Sequence, residues 1–162
     1  MKSERALKQS LCQALSLPPK LTVSSWADKF SMLPSDSAEP GLYKTSRVPY
    51  MRAVMDAFNE SDVHKIVVKS SSQIGKSAVI LNIVGYTAHL DPANIMLIQP
   101  TLDAAMDFSK SRLSKLIADC RVLTPLFYEK LKTRDSNQTI LSKVFKGGRI
   151  ILVGDRKSTR LN

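Results

Sequence analysis

The sequence predicts an α/β domain built on a parallel sheet flanked by helices. Three observations carry that expectation. Candidate elements alternate helix, strand, helix, strand, helix between residues 50 and 119. The two candidate strands, HKIVVK (64–69) and NIMLIQ (94–99), are short apolar runs of the kind buried in parallel sheets. Between the first strand and the next helix lies a loop ending in Gly-Lys-Ser. In such sheets crossovers are right-handed and ligands collect at the carboxyl ends of the strands.

The elements follow in order. Leu7, Leu11, Leu15 and Leu17 suit a short helix, which Pro18-Pro19 ends. LPSDSAEPG (33–41) is dense in turn formers and reads as a loop. Residues 1–45 are therefore expected to form an N-terminal arm with a loop-rich lead-in. Met51, Val54, Met55 and Phe58 recur at i, i+3, i+4 and i+7, with Pro49 placed for the first turn of a helix. Asn59-Glu60-Ser61-Asp62 breaks it, and the strand 64–69 follows. AVILNIVGYTAHL (78–90) is apolar nearly all round and long enough for a buried helix. After the strand 94–99, Thr101 is placed as a helix N-cap with Asp103 in the first turn. Leu102, Ala105, Met106, Leu113, Leu116 and Ile117 mark the core face of a helix reaching Asp119. TPLFYEKLK suits a helical turn, and TILSKVF, Gly147-Gly148 and RIILVG read as a hairpin.

Composition sets the outer bounds. The chain has 162 residues, 43% hydrophobic and 23% charged, one domain's worth and enough for a core without staples. No apolar run approaches the ~20 residues of a membrane span, and the first fifteen residues lack the apolar stretch of a secretory signal. Cys12 and Cys120, with His64 and His89, support neither a disulfide framework nor a zinc cluster, which points to a reducing cytoplasm. The formal charge of +10 points toward a polyanion, although a solvated basic surface gives the same count. The excess is uneven: residues 1–100 carry 11 Lys+Arg against 8 Asp+Glu, and residues 101–162 carry 13 against 6. Few aromatic residues accompany it, so a stacking platform for single strands has no support.

The chemistry lies in Ser70-Ser71-Ser72-Gln73-Ile74-Gly75-Lys76-Ser77, which matches the phosphate-loop pattern everywhere but at its first glycine, here Ser70. Gly75 lets the backbone approach phosphates without a Cβ in the way. Successive N–H groups and the positive end of the following helix make an anion nest. Lys76 is a compact ammonium for the β- and γ-phosphates, and the Ser77 hydroxyl is placed for Mg²⁺. The expected cofactors are ATP and Mg²⁺, and the expected fold becomes a P-loop NTPase-type α/β sheet.

From Leu21 to Gly154 the sequence resembles the N-terminal ATPase region of phage terminase large subunits, of the lambda GpA-like branch. The resemblance rests on LTVSSWADKFSMLPSDSAEPG (21–41), TSRVPYMRAVMDAFN (45–59), HKIVVKSSSQIGKS (64–77), IMLIQPTLDAAMDFSKSRL (95–113) and FKGGRIILVG (145–154). It implies a motor that packages double-stranded viral DNA into procapsids by ATP hydrolysis, with a separate nuclease domain. It also implies a homo-oligomer in the host cytoplasm, working with the terminase small subunit and the portal of the procapsid. Carried over by position, Gly75, Lys76 and Ser77 contact phosphate and magnesium, and Gln73 sits where the family often has glutamine. Tyr50, with Tyr43 as the alternative, falls where terminases place an aromatic against adenine; packing at a helix start suits Tyr50 equally. Gln99-Pro100-Thr101 resembles a motif coupling nucleotide to DNA, or a simple strand exit and helix cap. Lys110, Arg112 and Lys115 suit DNA phosphates or a solvated helix face.

The departures shape the remaining expectations. Ser72 stands where many terminases carry an arginine, so no arginine finger is assigned in cis. The water-activating glutamate is expected beyond Asn162, because Gly154 and Arg156 spoil the acidic motif that Ile150–Asp155 imitates, with Asp155 a secondary candidate for the metal side. The expected organisation is an arm (1–45), a partial ATPase domain (46–154) truncated before completion, and an atypical tail (155–162) of foreign or fragment-edge character. Such a chain is expected to bind ATP weakly and to hydrolyse it negligibly. A helicase-like P-loop translocase and a non-catalytic nucleic-acid-binding fragment are the alternatives.

Overall fold

The computed structural model describes residues 21–34, 37, 39–128 and 140–154. The predicted helix at Leu7–Leu17 and the tail 155–162 lie outside the described residues. Among the described residues the first element is α1 (Val23–Phe30), in the stretch expected to be loop-rich. Thr22 caps it by accepting a hydrogen bond from the Ser25 N–H. Val23, Trp26 and Ala27 are fully buried and Phe30 packs on the core, a single face at i, i+3, i+4 and i+7. The same periodicity that predicts the helix at 51–58 was present here.

An antiparallel pair follows, β1 (Met32–Leu33) against β2 (Gly41–Leu42), so Leu33 and Gly41, the ends of the predicted 33–41 loop, are paired strand residues. Two 3-10 turns, Thr45–Arg47 and Pro49–Met51, lead into α2 (Arg52–Asp56) and a third turn, Ala57–Asn59. Met51 and Met55 are buried as expected, while Phe58 stays exposed and meets Tyr86 edge-on at 6.4 Å. α3 (Lys76–Leu90) is the predicted apolar helix. It packs against α1 and α2, with Trp26 lying over Gly85 so closely that a Cβ there would fall 2.3 Å from the indole Cη2.

The sheet departs from expectation. Among the described residues it has three strands in the order β3 (Ile95–Gln99), β5 (Gly148–Gly154), β4 (Ser142–Phe145). β3 and β5 are parallel, whereas β4 and β5 form the predicted antiparallel hairpin, so the sheet is mixed. HKIVVK (64–69) is not a strand. Its β-branched side chains suit a buried strand, but a strand also needs a neighbouring backbone for its N–H and C=O groups. None of the described residues supplies one, and Val67 is 75% exposed. β3, by contrast, is half-buried on one face. Ile95 and Leu97 lie in register with the buried Ile150 and Leu152, while Met96 and Ile98 on the opposite face are 62% and 71% exposed.

Thr101 caps the next helix as predicted, accepting from the Ala104 N–H at 3.1 Å, with Asp103 in the first turn. That helix is not uniform. It runs as α4 (Leu102–Asp107), a π-helical stretch (Phe108–Leu113) and α5 (Ser114–Asp119). The wider π turn alters the inward face. Ala105, Phe108, Ser109, Leu113, Leu116 and Ile117 are buried, whereas Leu102 is exposed and Met106 only half-buried. α6 (Thr124–Tyr128) supplies the predicted helical turn and packs on β4. No helix among the described residues is long and apolar enough to cross a membrane.

Candidate functional site

The loop 70–77 joins the unpaired segment 64–69 to α3. Gly75 is the N-cap of that helix, with φ +91°, and Gln73 also has a positive φ, +59°. A left-handed residue other than glycine costs about 1–3 kcal/mol, so Gln73 is a strained position in the loop. With Ile74 between them, these two residues turn the chain sharply onto α3. Ile74 packs on the core, whereas Ser70, Ser71, Ser72 and Gln73 face solvent.

α3 begins without a side-chain cap. Ala78 and Val79 donate their N–H groups to the Gly75 carbonyl, which leaves the first-turn amides of Lys76 and Ser77 without an intrahelical acceptor. Those amides and the helix dipole favour an anion. A Cβ added at Gly75 would meet nothing within 4 Å, so this side of the cradle is open. The Lys76 ammonium donates to the carbonyls of Ser71 and Ser70, holding it over the loop. Backbone donors, one ammonium and open space on the glycine fit a phosphate chain.

Ser77, half-buried, lies in the first turn of α3. No group of three or more His, Cys, Asp or Glu gathers among the described residues, and Asp155 lies outside them.

Tyr50, 57% exposed, comes to the loop from another element. Its hydroxyl donates to the Ile74 carbonyl at 3.4 Å, next to Gly75. Tyr43, the alternative aromatic, is instead buried. Burial pushes its phenol pKa up, with the charges of Asp28 and Tyr50 adding to the effect. Beside Lys76, Met51, Val54, Ile66, Val68, Val79 and Ile80 line an apolar groove of about 310 Å³.

The other positions singled out in the sequence lie elsewhere. Gln99 ends β3 and Thr101 caps α4. Gly154, at the end of β5, meets that cap so tightly that a Cβ would lie 2.2 Å from the Leu102 nitrogen. Lys110 and Arg112 occur in the π-helical stretch, where Arg112 lines a cavity of about 110 Å³ with Ser31, Leu81 and Asn82, and Lys115 follows on α5. Asp28 on α1 was not singled out, although its carboxylate accepts the Thr45 N–H at 2.5 Å; an acid on a helix face gives no signal for such a long-range contact.

Comparison with known proteins gives a consistent result. Residues 37–162 match the family model of the phage terminase large subunit gpA, ATPase domain. The chain is 30% identical over 139 residues to the terminase large subunit of Enterobacteria phage P21, covering 83% of this chain and 21% of that protein. It is 31% identical over 140 residues to the terminase large subunit of Escherichia phage lambda, covering 85% and 21%. The chain thus spans about a fifth of the length of these curated relatives. No solved structure matches it. With a family match over most of its residues, the chain belongs to the gpA ATPase-domain family of phage terminase large subunits.

Proposed function

We propose that this chain carries the nucleotide-binding part of an ATP-driven motor that packages double-stranded DNA into procapsids. The observation that carries the reading is the loop Gln73–Ser77. Two left-handed residues there lead into an uncapped helix whose first residue is a lysine folded over the loop. Ser70 to Ser77 surround the triphosphate of ATP, Lys76 balances its charge, and Ser77 gives one oxygen to Mg²⁺. Tyr50 borders the site. In this reading the fold is of the P-loop NTPase type, and the endonuclease activity belongs to the longer parent protein. The small subunit, the portal and further copies of the motor are its partners in the host cytoplasm, as the family membership supports.

Titration of the chain with a fluorescent ATP analogue and Mg²⁺ tests the reading. Weak but saturable binding is expected, displaced by ATP and lost in Lys76→Ala and Gly75→Ala. Binding that persists unchanged in Lys76→Ala, or no saturable binding at all, overturns it.

A further inference from the structure

The phosphate loop has little packing of its own. Only Ile74 reaches the core, and the bonds of Lys76 close the loop on itself. The Tyr50 hydroxyl, by contrast, reaches the Ile74 carbonyl from a separate element. What places Tyr50 therefore bears on the loop.

Tyr50 sits in the second of two consecutive 3-10 turns. These are linked by backbone bonds from Val48 N–H to the Thr45 carbonyl and from Met51 N–H to the Val48 carbonyl. The first turn begins at Thr45, whose residue is 4% exposed and whose N–H is taken by Asp28 Oδ1. Two residues earlier, the Tyr43 N–H donates to the Ser31 carbonyl. Both anchors belong to α1 and its C-cap. An N–H at a buried position needs an acceptor, and a carboxylate is a strong one. Without it the first turn loses its fixed start, and the error passes along only five residues to Tyr50.

We propose that Asp28 is a positioning residue for the phosphate loop, fixing the tandem turns that present Tyr50 to the Ile74 carbonyl. The inference deepens the nucleotide-binding reading and rests on it for its consequence, namely that Asp28 tunes the affinity for a nucleoside triphosphate without touching it. Asp28→Asn keeps the acceptor oxygen, whereas Asp28→Ala removes it.

The test uses the 162-residue chain, the fluorescent ATP analogue with Mg²⁺, and amide hydrogen exchange. Asp28→Ala and Tyr50→Phe are each expected to weaken analogue binding by about three- to tenfold, the scale of one hydrogen bond. The double variant should be no weaker than the worse single one, and Asp28→Asn should restore binding to within about twofold. Thr22→Ala, which removes the cap of the same helix, serves as the control and should lower the melting temperature without changing affinity. Exchange across residues 72–76 should rise in Asp28→Ala and Tyr50→Phe, and stay unchanged in Thr22→Ala. Independent, multiplying losses, unchanged loop exchange in Asp28→Ala, or an equal effect of Thr22→Ala overturns the positioning role. Absence of analogue binding by the unaltered chain overturns the nucleotide reading instead, and the exchange experiment then still decides whether Asp28 positions the loop.

Discussion

The indole Nε1–H of Trp26 donates to Nδ1 of His89 across 3.0 Å, joining α1 to the last turn of α3. The Phe30 ring meets the imidazole edge-on at 5.4 Å. Nδ1 can accept this bond only when it carries no proton, so the geometry requires a neutral imidazole with its proton on Nε2.

A pH dependence follows with a definite sign. Burial holds the His89 pKa below its ordinary 6.5. The unfolded chain therefore binds the proton more readily than the folded one. Stability from this group is complete above pH 6.5 and declines as pH falls through the lower folded value. Asp56 acts in a separate window. Burial raises its pKa, but hydrogen bonds from Ser24 and Thr22 and the Arg52 charge outweigh it, so its contribution is lost only below about 3.8. Trp26 is the single tryptophan of the chain, so thermal unfolding followed by its fluorescence reads this contact directly. His89→Gln should remove the loss of stability just below pH 6.5 and leave the acid limb intact. A drop unchanged in His89→Gln counts against the assignment.

Gly85→Ala should lower stability by about 1–3 kcal/mol, because the new methyl meets the Trp26 ring at 2.3 Å and the indole is fully buried and hydrogen-bonded to His89. Urea unfolding measures it. The companion variant Trp26→Phe should relieve the clash, so that the double variant loses less than the two single losses summed.

Asn82 is a polar side chain buried in the middle of α3. It accepts from the Ser31 hydroxyl at 2.7 Å and donates to the Met55 sulfur at 3.7 Å. Asn82→Ala orphans the buried Ser31 hydroxyl and should cost about 1–3 kcal/mol in chemical denaturation. Adding Ser31→Ala should recover part of that loss.

Gly154→Ala tests how β5 ends. Its methyl would strike the backbone of Leu102, which cannot rotate away as a side chain would. A loss of about 1–3 kcal/mol is expected, together with faster amide exchange at Ala104, where Thr101 caps α4.

The two faces of the sheet should answer differently to mutation. Ile98→Thr should change stability by no more than about 0.5 kcal/mol, because Ile98 is exposed. Ile150→Ala, one strand away on the inward face, should cost about 2–5 kcal/mol. Equal effects in urea unfolding would mean that the exposed face is buried in solution.

Local chemistry determined much of this protein. Gly75 and Lys76 announced the loop, Pro49 and Thr101 the starts of helices, Gly147-Gly148 a hairpin, and the apolar run 78–90 a buried helix, because each depends on residues close in sequence. Tertiary structure decided the rest. HKIVVK has strand-forming side chains, yet a strand exists only where another backbone meets it, and no described residue does so. The face of β3 open to solvent and the π turn at Phe108–Leu113 depend on what packs alongside, which periodicity does not encode. The contacts Asp28–Thr45, Tyr50–Ile74 and Trp26–His89 span 17, 24 and 63 residues. The sequence singled out the loop 70–77, but only the fold brought Tyr50 to it and Trp26 to the helix behind it.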